Sequence, residues 1–268
     1  MFAYSPLGEH MANSALAVLE TALRERKLDR TLTTSLPPLE RSDPAAFIPF
    51  EIAAVDAVLR GGLPRGQVSE LAGPHSSGRT TMLLQLLAAA TRGGEIAALI
   101  DTCDGLDVAS AAAAGIDLNR LLWIRGASSG RVLSALSESK DRIVDRALKA
   151  LNLVLQAGGF GVVAIDLADV PPRVLRSLPF TTWLRLQRIV EGSDMACLLI
   201  VPEPLARSAG GLTVMCTGRT TWSEATQQIP SNERARRFTG LDTGIRVVSP
   251  RRRVDGSAAV RALANDSD

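Results

Sequence analysis

Aromatic side chains are scarce in this chain: Phe, Trp and Tyr together make up 4% of its 268 residues. A core with few large rings must be filled by aliphatic side chains. Alanine and leucine dominate here, which suits helices packed on a sheet. Cysteine and histidine are scarcer still. The three cysteines, Cys103, Cys197 and Cys216, sit inside apolar runs. So odd and sparse a set excludes a secreted disulfide framework, and buried thiols in a reducing cytoplasm are expected. The two histidines, His10 and His75, have no cysteine or carboxylate cluster beside them, so no structural zinc site is expected. No apolar run is long enough to span a bilayer. The opening MFAYSPLGEH lacks a basic region followed by an apolar run, so no signal peptide is expected. A dominant charge is also missing. The formal net charge of +2 names no partner by itself.

What is present is a chain that is 46% apolar and long enough for one sizeable core with extensions. Residues 10–28 read as an amphipathic helix through Leu16, Leu19, Leu23 and Leu28. TLTTSLPPLERSDP, residues 31–44, is a breaker-rich linker. The helix EIAAVDAVLR ends at the turn GGLPRG, and QVSELA (67–72) is a strand running into a glycine-containing loop. The helix TTMLLQLLAAATR follows. Strands are then expected at EIAALID (95–101), LLWIR (121–125), GVVAID (161–166) and MACLLIV (195–201). Between them lie the helix DVASAAAAG, ended by Gly115, and a long helix over 130–156 with Leu133, Leu136, Ile143, Ala147, Leu151 and Leu155 on one face. PPRVLRSL and FTTWLRLQRIVEG form helices interrupted at Pro179.

Strands without alternation, separated by helices, imply a parallel sheet covered on both faces. The fold class is therefore α/β: a phosphate-loop core with a mainly parallel sheet, helices on both faces, and antiparallel edge strands near the C-terminus at LTVMCTG and GIRVVS. A loose tail is expected from about 256 to 268. The expected organisation is an N-terminal helix and linker over 1–44, a core over 45–250 and a basic flexible tail over 251–268.

The stretch GPHSSGRTT, Gly73 to Thr81, has the spacing of a phosphate-binding loop between a strand and a helix. Such a loop aims successive backbone N–H groups and a helix start at one point, which suits anionic phosphates. The expected nucleotide-binding residues are Gly73, Ser76, Ser77, Gly78, Arg79, Thr80 and Thr81. Thr80 would hold Mg²⁺, and Asp166, ending the strand GVVAID, would hold it as well. A glycine turn and a helix-capping aspartate are the plainer readings of the same residues. Arg79 stands where the pattern has lysine. It keeps the charge but is planar and bulkier, so hydrolysis, which needs close placement of the γ-phosphate and its metal, suffers before binding does.

GGLPRGQVSELAGPHSSGRTTMLLQLLAAA (61–90) resembles the nucleotide-binding segment of bacterial RecA recombinases. LIDTCDGLDVASAAAAGIDLNRLL (99–122), GVVAID and MACLLIV continue the likeness, and the N-terminal helix with its linker resembles the arm through which RecA protomers polymerise. The resemblance covers roughly residues 10–220 and implies ATP and Mg²⁺ as cofactors. The chain departs from it in several places. The RecA pattern has a catalytic glutamate two residues after the strand-end aspartate, where this chain has Asp101, Thr102 and Cys103, with Asp104 adjacent. A thiol is a poor replacement for that general base, and no residue is assigned a catalytic role. RecA has a γ-phosphate-sensing glutamine just after the strand matched by LLIV, where this chain reads Val201, Pro202, Glu203. The segment between Asp166 and Trp183 is short, and no counterpart of RecA's separate C-terminal domain is evident. A RecA-like core with these changes resembles the ImuA-type proteins, particularly over LADVPPRVLRSLPFTTWLRLQRIVEGSDMACLLIV. That resemblance implies a role in damage-induced mutagenesis, with RecA and an ImuB-type polymerase-like protein as partners.

Basic residues offer a further surface. Arg173, Arg176, Arg185 and Arg188 lie at helical spacing around Trp183 and would either grip single-stranded DNA or form a solvated helix face. Arg251, Arg252 and Arg253 would touch DNA or an acidic partner, or form an exposed polar end. Phe180 and Trp183 could anchor a partner, although core burial is the commoner fate of such residues. Three functions are therefore carried forward: a binding and regulatory RecA relative with weak or absent hydrolysis, a working DNA-dependent ATPase and recombinase, and a small-molecule kinase with a phosphate loop.

Overall fold

The computed structural model describes residues 46–126, 137–206, 211–223, 237–248 and 257–263. The expected N-terminal helix, the linker over 31–44, residues 130–136 of the long helix, and Arg251, Arg252 and Arg253 lie outside the described residues.

A short antiparallel pair, β1 (Phe47–Ile48) and β2 (Leu63–Pro64), brackets α1 (Ala53–Leu59). The chain then alternates: β3 (Gln67–Ala72), α2 (Arg79–Arg92), β4 (Ala97–Asp101), α3 (Val108–Ala113), β5 (Leu121–Arg125), α4 (Ser137–Ala157) and β6 (Val162–Asp166). Two helices, α5 (Pro172–Ser177) and α6 (Phe180–Val190), precede β7 (Ala196–Val201). Pro179 caps α6, so the proline breaks the helical stretch as the sequence implies. The last elements are β8 (Thr213–Trp222), β9 (Phe238–Val247) and β10 (Ser257–Leu263).

Among the described residues the main sheet has eight strands in the order β10-β9-β8-β3-β7-β6-β4-β5. From β5 to β8 every pair is parallel, and β8, β9 and β10 pair antiparallel. Successive residues of each central strand feed opposite cores. Leu99, Ala164, Leu198 and Ile200 join Leu83, Leu86 and Leu87 of α2 on one face. Ile100, Val163, Ile165 and Leu199 join Leu151 and Leu155 of α4 and Leu186 and Val190 of α6 on the other. Both faces are dry, which is why these strands are continuous apolar runs.

A carboxylate lies inside this sheet, beside the buried Ser69 of the same strand. Glu70 of β3 is fully buried. Its carboxylate accepts the N–H groups of Leu205 and Ala206 at 2.9 and 3.0 Å and the Thr213 hydroxyl at 2.7 Å. It thereby holds both the chain leaving β7 and the start of β8. The β3–β8 pairing spans only Glu70–Ala72 opposite Thr213–Met215, so this clamp reinforces the narrowest join in the sheet.

The expectation of a loose tail is corrected over 257–263. This segment pairs along its length with β9, from Ser257 opposite Arg246 to Leu263 opposite Gly240. Ala258 and Val260 pack on the first core, and Arg261 pairs with Asp242 at 2.6 Å. Small alternating side chains give little hydrophobic signal, so pairing along the edge defines the strand more than its own composition does.

Candidate phosphate-binding site

The strands β3, β4, β6 and β7 end together, and the loop from β3 into α2 crosses that end of the sheet, where parallel α/β sheets form their clefts. Two glycines shape the loop. A Cβ at Gly73 would strike the Cys216 carbonyl oxygen and Ser77. Gly78 has φ +88°, and a Cβ there would strike Thr243. Glycine is thus demanded by the turn and also by β8 and β9 pressing against it. The first N–H of this helix to find a carbonyl is that of Met82, which bonds Gly78 at 2.9 Å. The N–H groups of Ser76, Ser77, Gly78, Arg79, Thr80 and Thr81 donate to nothing among the described residues. The Ser77 hydroxyl is buried without a partner as well. A row of unmet donors at a helix start is the arrangement that an anion completes.

These donors face a cavity of about 220 Å³. Its lining of loop N–H groups and a threonine hydroxyl suits phosphates and a cation. The cavity brings Thr80, Thr81 and Asp166 together with Arg79, Asp101 and Asp169. Asp166 ends β6, and its Oδ1 accepts the Ala168 N–H at 2.8 Å. Burial pushes its pKa up to about 6, with Asp101 and Asp169 adding to the effect and the Ala168 hydrogen bond and Arg79 opposing it. The Asp166 carboxylate and the Thr80 hydroxyl, both lining the cavity, are oxygen donors of the kind a hard divalent cation takes.

Arg79 is 5% exposed. Its Nη1 donates to the Val201 carbonyl at 2.7 Å, and the same carbonyl accepts the Gly73 N–H at 3.3 Å. The guanidinium therefore braces the end of β7 against the start of the loop. Burial lowers its pKa, and Asp166 and Asp169 oppose that shift.

The end of β4 is committed to structure. Asp101 accepts the N–H groups of Gly105 and Leu106, each at 2.9 Å, and the Trp123 indole N–H at 3.1 Å. Cys103 is buried, and its thiol is pushed up to about 11, by burial first and by the carboxylates of Asp169, Asp166 and Asp101 after it. Asp104, the adjacent carboxylate, binds Arg125 through both oxygens at 2.7 and 3.0 Å. That guanidinium lies over the Trp123 ring, 4.6 Å from its centroid.

The basic candidates divide. Arg176 binds Glu203 through two hydrogen bonds of 2.5 and 2.6 Å, so both are engaged with each other. Arg173, Arg185 and Arg188 are exposed, with no ion pair among the described residues. Trp183 is 3% exposed and belongs to the second core, whereas Phe180 is 48% exposed. The sequence reading missed the contribution of β9. Leu241 lines the cavity and Thr243 abuts Gly78. Their part is set by strand pairing at long range, and no local motif in FTGLDTG signals it.

Residues 45–168 match the family described as RecA N-terminal domain. The chain is similar to the protein RecA of Clavibacter michiganensis subsp. michiganensis, 36% identical over 159 residues, covering 58% of this chain and 40% of that one. It is also similar to the protein RecA of Paenarthrobacter aurescens, 33% identical over 173 residues, covering 64% and 44%. A third relative is the protein RecA of Arthrobacter sp., 37% identical over 132 residues, covering 48% and 33%. The chain thus spans less than half the length of these curated relatives. With its mainly parallel sheet and its loop of unmet donors at the head of α2, the chain is similar to RecA proteins, and residues 45–168 carry the likeness.

Proposed function

We propose that this chain is a RecA-related accessory protein of the DNA-damage response. It holds Mg²⁺–ATP in the loop from Gly73 to Thr81 and turns it over weakly or not at all. It acts in damage-induced mutagenesis of the ImuA type, through contacts with RecA and an ImuB-type polymerase-like partner, with single-stranded DNA as a further ligand. Nucleotide holding is supported by the unmet N–H groups and the unpartnered Ser77 hydroxyl. Thr80 and Asp166 would hold Mg²⁺, which when bound neutralises phosphate charge.

The observation that carries the weak-turnover reading is Cys103. The position where a RecA pattern has its base holds a thiol that burial keeps protonated at neutral pH. The nearby carboxylates are occupied elsewhere, Asp101 by the 102–106 turn and Asp104 by Arg125. Glu203, near the lost sensor position, is held by Arg176. The mutagenic role and its partners rest on the resemblance over residues 167–201.

The test is an ATP titration with and without Mg²⁺, followed by turnover with single-stranded DNA. Binding without DNA-stimulated turnover is expected, and Cys103→Ala should leave the residual rate within about twofold. Turnover at recombinase levels, or a loss of more than tenfold in Cys103→Ala, would overturn the reading. Unchanged damage-induced mutation in a strain lacking the gene would remove the mutagenic role.

A further inference from the structure

His75 belongs to the loop from Gly73 to Thr81, yet its imidazole makes no hydrogen bond among the described residues. It lines the cavity, and Asp169, just beyond the end of β6, lines it as well. The two side chains are 80% and 56% exposed, with His75 Nδ1 3.6 Å from Asp169 Oδ1. That separation suits attraction between charges but exceeds a hydrogen bond. Both groups therefore stand at the open margin of the cavity, and the ring is loosely held.

Among the described residues lining the cavity, Asp101, Asp166 and Asp169 carry carboxylates, and Arg79 and His75 alone can be cationic. β8 and β9 meet the loop through Gly218 and Thr243 and add Leu241 to the lining, none of them charged. Arg79 is buried, and its Nη1 is committed to the Val201 carbonyl. With His75 neutral, three carboxylates thus share the cavity with one buried guanidinium. A polyphosphate would meet repulsion there that backbone N–H groups alone must offset. His75 is the exposed group on the loop that can change this balance by gaining a proton.

We propose that His75, in place of Arg79, is the side-chain cation of this loop, its imidazolium turning from Asp169 to an oxygen of the phosphate that the loop N–H groups hold. This rests on the phosphate-holding reading above. Imidazole takes up a proton over about pH 8 to 5, and a polyanion beside it favours the charged form. The ring N–H then donates a charge-assisted hydrogen bond. Asp169 competes for the same imidazolium, so the affinity of the loop is set by exchange between two partners. Polyphosphate binding strengthens as pH falls. Asp166, whose pKa burial raises to about 6, takes up a proton over part of the same range and pushes the same way. The share of His75 is therefore read by comparing variants that all keep Asp166.

The test is calorimetric titration of the full chain with inorganic tripolyphosphate at pH 6 and pH 8, with and without Mg²⁺. At pH 6, His75→Ala and the neutral His75→Gln should each bind about tenfold more weakly than wild type, the scale of one charge-assisted hydrogen bond. His75→Lys should bind as wild type does. At pH 8 wild type should fall toward His75→Ala, while His75→Lys keeps its advantage. Equal affinity in wild type and His75→Ala at both pH values, with tripolyphosphate still bound, would overturn the role of His75 and leave the phosphate-holding reading intact. A loss in His75→Ala that His75→Lys does not restore would overturn the cationic role. Failure of wild type to bind tripolyphosphate at either pH would remove the phosphate cradle and His75 with it.

Discussion

Asp166 holds its proton more tightly in the folded protein than an ordinary aspartate does, because burial opposes its charge. Its pKa is raised from 3.8 to about 6. A raised folded pKa means that the group's contribution to stability is fully present below about 3.8 and is lost as pH rises through about 6. At neutral pH the ionised carboxylate is a local cost. Asp166→Asn should therefore raise stability at pH 7 by on the order of 1–2 kcal/mol, after allowance for partial solvent access, and change nothing at pH 3.5. Urea midpoints at the two pH values measure this, and equal shifts at both would contradict it. With Asp166 holding the cation as proposed, the same variant should also weaken Mg²⁺-dependent nucleotide binding. Arg79 shows another side of the same economy: a cation suited to phosphate is partly engaged in holding Val201.

At the scale of elements, the join between β3 and β8 depends on Glu70. Glu70→Ala would leave the Leu205 and Ala206 N–H groups and the Thr213 hydroxyl without their acceptor in a buried place. A loss of about 3–5 kcal/mol is expected by denaturant unfolding, and a loss below about 1 kcal/mol would mean that water replaces the carboxylate. Much of the element order could be read from the chain. QVSELA, LLWIR and MACLLIV are unbroken apolar or part-apolar runs, and Pro179 divides two helices as expected. SAAVRAL was not legible, because alanines alternating with alanine, valine and arginine carry little period-two contrast until β9 supplies the partner. The loop was legible because glycine spacing is a local signal. Its walls were not: Thr243 and Leu241 reach it through strand pairing, and the embedding of Asp101 depends on Trp123 from the next strand.

The molecule as a whole carries little net charge, so any attraction for single-stranded DNA has to come from local clusters. Among the described residues Arg173, Arg185 and Arg188 are exposed without ion pairs, whereas Arg176 is neutralised by Glu203. If the first three contact phosphates, replacing them with glutamine should reduce the slope of log affinity against log salt by about 2. Replacing Arg176 should change it less, because its charge is already balanced. Fluorescence anisotropy with an oligonucleotide over a salt series reads both slopes, and an unchanged slope in the triple variant would move the contact elsewhere.

The loop from Gly73 to Thr81 belongs to the parallel body of the sheet, while Gly218, Leu241 and Thr243 belong to its antiparallel wing, and among the described residues Glu70–Ala72 alone stitch the two by strand pairing. A ligand seated there would touch both and work as a clasp. By linkage, its affinity would be added to the resistance of the wing against local opening. Amide protons of β8 and β9 should then exchange with deuterium more slowly when ATP and Mg²⁺ are present, by the same factor that ligand saturation predicts. The amides of β5, at the opposite margin of the sheet, should show the smaller change.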